Sequence, residues 1–164
     1  MGASTTARSL PHPSRRWLPS GAHPTIRRSV TALETIPLFD GLAKRHLRKL
    51  AEEADVVRFR PGRPIVEEGE GGEAMYVMLS GTASVVRGRR SVARLIPGDF
   101  FGELSALDGG PRSASVVGDT PVEVLRLFRH TLRDLLQTEP ALVFRMLEGL
   151  ARRMRQVRPG TSPT

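Results

Sequence analysis

The chain has 164 residues, of which 39% are apolar, with no cysteine and a formal net charge of +8. That length suits one domain with a substantial core plus tails, and no run approaches the roughly 18 apolar residues of a membrane span, so a soluble, cytoplasmic protein is expected. The lack of cysteine excludes disulfides, thiolate–zinc sites and cysteine nucleophiles together.

Residues 1–29 carry Arg8, Arg15, Arg16, Arg27 and Arg28, with no acid before Glu34, and hold four prolines among many Ser and Thr. Such a segment buries too little surface to offset its ordering entropy, so a disordered basic tail is predicted. Its Arg-rich, acid-free composition also imitates an organelle transit peptide, and an over-extended gene start is a third reading, since the folded pattern begins near Val30. With Arg158 set aside as well, residues 30–157 carry only +2, so the charge does not point to nucleic acid.

From Leu33 the chain is patterned. Leu42, His46, Leu47, Leu50, Ala51 and Ala54 recur at helical spacing, with Asp40-Gly41 as a start signal. Short β-favouring runs follow at 56–59, 65–66, 75–79, 83–86, 92–96, 114–117 and 122–127. Glycine- and proline-rich turns separate them. Leu132, Leu135 and Leu136 then mark one helix, and a second begins near Pro140 and runs through Leu142, Met146, Leu150 and Met154. The predicted fold is α+β: an antiparallel β-roll or jelly roll of about eight strands, with one N-terminal and two C-terminal helices. A domain over 30–157 is expected, with a disordered C-terminus at 158–164.

The segment from Phe100 to Val116 holds the chemistry. Phe100-Phe101 anchors a strand end, Gly102 allows a close turn, and Glu103 to Ala106 suit one helical turn. The first N–H groups of such a turn have no partner within the helix and favour an anion. Arg112 adds a planar fork that pairs two phosphate oxygens. Glu103 is suited to accept hydrogen bonds from a sugar hydroxyl. A single arginine fits a singly charged phosphodiester better than a triphosphate. No Gly-Lys-Ser or Gly-Lys-Thr occurs, so a P-loop is absent.

Phe-Gly-Glu-Leu, seven residues, then Arg-Ser-Ala resembles the phosphate-binding cassette of cyclic nucleotide-binding domains, the sensor domains of catabolite activator protein, protein kinase A regulatory subunits and cyclic nucleotide-gated channels. The similarity extends over about residues 33–156, through Pro61-Gly62, Ser80-Gly81 and Pro97-Gly98-Asp99-Phe100. The resemblance implies that Gly102, Leu104 and Ser105 offer backbone amides to the ribose phosphate. Glu103 would accept the free 2′-hydroxyl, and Arg112 would pair with the exocyclic phosphate oxygens, with Ser113 and Ala114 beside it. Val85 and Leu95 would pack on the base. The last helix would be a mobile lid, with Arg152, Arg153 or Arg155 over the base. Ala106 is smaller than the leucine usual there. The implied ligand is cAMP or cGMP, with a lean towards cAMP, and no other cofactor or metal is expected.

A bland alternative makes Glu103 and Arg112 a buried ion pair that closes a non-binding scaffold. A DNA-binding regulator needs a helix-turn-helix after the long helix, for which the chain leaves too few residues, so no DNA binding is expected unless the sequence is truncated. A metal enzyme on a jelly roll needs clustered histidines. His12, His23, His46 and His130 lie outside the strands, so no enzyme is expected. The output would then pass to a protein effector or a second copy through the apolar face of residues 142–154.

Overall fold

The computed structural model describes residues 30–156, so the two expected disordered tails, 1–29 and 158–164, lie outside the described residues. A short helix α1 (Val30–Glu34) and a 3-10 turn (Pro37–Phe39) lead into α2 (Lys44–Glu53). Five residues are too few for a helical period to show, which is why the sequence pointed to one N-terminal helix only. The start signal also moves. Ala43 caps α2 in an extended conformation, while the amide of Asp40 closes the 3-10 turn on the Pro37 carbonyl.

Eight strands follow: β1 (Asp55–Phe59), β2 (Pro64–Val66), β3 (Ala74–Ser80), β4 (Ala83–Arg87), β5 (Arg90–Leu95), β6 (Phe100–Phe101), β7 (Ser115–Gly118) and β8 (Val122–Phe128). Helix α3 (Glu103–Asp108) is inserted between β6 and β7, and α4 (Arg129–Thr138) and α5 (Pro140–Gln156) end the fold. The strands pair antiparallel into two four-stranded sheets, in the orders β1-β8-β3-β6 and β2-β7-β4-β5. This is the antiparallel roll that the turn spacing predicted.

The two central strands of the first sheet are largely buried on both faces, so β3 and β8 read as nearly continuous apolar runs. Alternation splits their side chains between two cores. Met75, Val77, Leu125 and Leu127 face the helices, where they meet Leu47, Leu50, Leu132, Leu135 and Leu142. Met78, Val122 and Val124 face the second sheet, with Ile65, Ala83, Leu95, Phe101 and Val116. Phe100 and Phe101 fall into different cores for the same reason. The two-residue strand β6 is thereby fixed on both sides immediately before Gly102.

Candidate functional site

The cassette is built by backbone conformations that only its glycines accept readily. Gly102 caps α3 with φ +75°, and Gly109 closes it with φ +78°. The Ala106 amide makes the first bond of α3, to the Gly102 carbonyl at 3.3 Å. The amides of Glu103, Leu104 and Ser105 therefore precede the helical ladder, and α3 runs a half-turn longer than expected, to Asp108. The return is pinned by a bridge between Gly71 and Pro111. It is also held by mutual backbone bonds, Arg112 N–H to the Glu70 carbonyl at 2.8 Å and Gly69 N–H to the Arg112 carbonyl at 2.9 Å. Arg112 therefore lies ahead of β7 and not at the opening of that strand.

Arg112 is buried, with 6% of its surface exposed. Its Nη1 donates to the Gly102 carbonyl and its Nη2 to the Ala74 carbonyl, each at 2.8 Å. The guanidinium also lies 5.8 Å from the centre of the Tyr76 ring. Burial lowers its pKa from the ordinary arginine value, opposed by Tyr76 and Glu103. Two of its five N–H groups hold these carbonyls, which fixes the fork and leaves donors for an anion.

Glu103 is 3% exposed. The Nη1 of Arg153, on α5, donates to Glu103 Oε1 at 2.8 Å, and the Arg153 guanidinium covers the Phe100 ring at 4.5 Å from its centre. Glu103 and Arg112 are thus not partnered to each other: one is met by α5 and the other by backbone carbonyls. Of the three candidate lid arginines, Arg153 is the one that reaches the cassette. Helix α5 sits very close at this point, since a Cβ at Gly149 would lie 2.7 Å from the Phe100 ring.

The remaining expected residues lie on α3, on the approach to β7, and on β4 and β5. Ser105 is buried and the Leu104 side chain is exposed. Ser113 is exposed and its carbonyl accepts Arg87 Nε at 3.2 Å, while Ala114 is buried beside it. Val85, half-buried on β4, pairs with Val116, and Leu95 on β5 is buried in the roll. The sequence reading missed Gly72 and Ala74. A Cβ at position 72 would lie 2.1 Å from Arg112 Cζ. The only signal for it was the Gly71-Gly72 doublet before β3. Among the described residues, no cluster of His, Asp and Glu is arranged to hold a metal ion. No helix among them is long and apolar enough to cross a membrane.

A buried, preset arginine, the amides that open a short helix and a buried carboxylate are brought together on one β-roll. The family model for the cyclic nucleotide-binding domain matches residues 56–139, and the chain belongs to that family. A cAMP-dependent protein kinase regulatory subunit of Aspergillus fumigatus is 39% identical over 124 residues, covering 74% of this chain and 30% of that protein. A cyclic AMP receptor protein of Thermus thermophilus is 36% identical over 125 residues, covering 73% of this chain and 58% of that one. The chain thus spans only part of the curated relatives it matches. The crystal structure of a cyclic nucleotide-binding domain from Methylobacillus flagellatus superposes with a TM-score of 0.68 at 26% identity, covering 82% of this chain and 83% of that one.

Proposed function

We propose that the protein is a cytoplasmic sensor of a 3′,5′-cyclic nucleotide, cAMP in preference to cGMP, that regulates without catalysing a reaction. The observation that carries this reading is the buried Arg112, held from behind by the Gly102 and Ala74 carbonyls beside the amides that open α3. The cyclic phosphate carries one negative charge. Arg112 and the amides of Gly102, Leu104 and Ser105 neutralise and orient it. The ribose 2′-hydroxyl donates to Glu103, and Val85 and Leu95 pack on the base side, with Ser113 and Ala114 at the rim. The preference for cAMP is supported by the names of the two curated relatives.

The signal leaves through α4 and α5. Arg153 ties α5 to the carboxylate that the ribose needs, so ligand binding and the position of α5 are coupled. The ligand shifts α5 only by as much as its affinity differs between the two placements. Phe144, Leu147 and Met154 leave an exposed apolar face on α5, and we assign to it a protein effector or a second copy of this chain. Calorimetry tests the assignment of the phosphate site. Arg112→Ala is expected to weaken cAMP binding by about 2–5 kcal/mol, the usual cost of truncating one member of a buried charge pair. An unchanged affinity would refute it.

A further inference from the structure

The carboxyl end of α3 is held, as its amino end is, by an arginine from outside the helix. Arg129 is the first residue of α4, and its Nη2 donates to the Ser105 carbonyl at 2.7 Å. The same carbonyl accepts the capping Gly109 amide at 3.0 Å. The guanidinium passes so close to this turn that a Cβ at Gly109 would lie 3.3 Å from both of its terminal nitrogens. The Nε of Arg129 is buried without a partner, a cost accepted for that placement. The backbone amide of Arg129 donates to the Glu73 carbonyl at 2.7 Å, within the turn that makes room for Arg112. One turn further along α4, Arg133 Nη2 approaches the Leu107 carbonyl at 3.4 Å.

We propose that Arg129 is a positioning residue for the ligand site, tying the phosphate cassette to the start of α4 so that α3 and α4 move as one body. This rests on the function proposed above. Ser105 is gripped through its carbonyl by α4 while its amide faces the anion, so a displacement of α3 on binding is delivered to α4 through one charge-assisted hydrogen bond. The cation also complements the negative end of α3. A neutral contact would satisfy the carbonyl without this second effect.

The test compares Arg129→Gln, Arg129→Lys and Arg133→Gln in the full chain, by amide hydrogen exchange with and without cAMP and by calorimetry. Arg129→Gln is expected to weaken cAMP binding by about tenfold, the loss of one hydrogen bond to a charged group. It should speed exchange of the α3 amides in the ligand-free protein, and abolish most of the cAMP-dependent change in α5 exchange at saturation. Arg129→Lys keeps one donor and is expected to fall in between; it carries the same comparison if the glutamine variant does not fold. Arg133→Gln, which loses only the longer contact, should stay near wild type. Unchanged α3 exchange in Arg129→Gln overturns the proposal, as does a lower melting temperature with affinity and the α5 response intact. If the wild-type protein binds no cyclic nucleotide, the proposed function fails, whereas ligand-free α3 exchange still decides the role of Arg129.

Discussion

The guanidinium of Arg112 occupies the space that a Cβ at position 72 would need, 2.1 Å from Cζ, so the charge proposed above to meet the phosphate depends on a residue with no side chain. Gly72→Ala is therefore expected to displace Arg112 while leaving the rest of the cassette in place. Overpacking of this kind costs about 1–3 kcal/mol of stability, and cAMP affinity should fall with it, as seen by urea unfolding and calorimetry on the same variant. Undiminished affinity in Gly72→Ala would show that the fork need not sit where the two carbonyls hold it. Glu103 and Arg112 stood out in the sequence as candidates because both are charged and sit a fixed spacer apart in a glycine-rich segment. Gly72, Ala74 and Arg129 did not. Their roles arise from contacts with residues 24–40 positions away in the chain, which no local pattern encodes.

Helix α5 is fixed along its length by elements far from it in sequence. Arg145 donates to the carbonyl and the carboxylate of Asp40 at 3.0 and 2.8 Å, Gly149 lies against Phe100, and Arg153 meets Glu103. Its start is held as well. Glu139, the one residue between α4 and α5, bonds to the Nδ1 of His46 and accepts the Ala43 amide at 3.3 Å, so α2 grips the hinge. The hydrogen bond from His46 holds the Glu139 carboxyl below its ordinary value, against the opposing effect of burial. A carboxylate whose pKa is depressed by folding contributes stability that is fully present above the unfolded value near 4.5 and is lost as pH falls through the folded one. Glu139→Gln should accordingly lose less stability than wild type between about pH 6 and about pH 3, measured by urea unfolding at each pH. Parallel profiles would contradict the hinge contact. Helices α2, α4 and α5 were readable from their apolar period. The N-terminal boundary was not, because Asp40 serves α5 and the 3-10 turn instead of capping α2.

The molecule as a whole is two apolar cores sharing one sheet, with the cassette inserted at the edge strand β6 where both cores end. The roll was legible from seven short apolar runs and their glycine turns. The eighth strand, Phe100–Phe101, is too short to show a period, and its two rings were read only as an anchor. The helices cover one face of the first sheet, so α3, α4 and α5 pack into one layer against it. The central claim, that this site binds a cyclic nucleotide in the native state alone, is tested most directly by thermal unfolding with and without cAMP and cGMP. At a hundred times the dissociation constant, native-state binding adds about 2.7 kcal/mol, which in a domain of this size raises the melting temperature by about 5–15 °C. The account predicts such a rise with cAMP, a smaller one with cGMP at equal concentration, and at most about a third of the cAMP rise in Arg112→Ala. No rise with either nucleotide at millimolar concentration would contradict it.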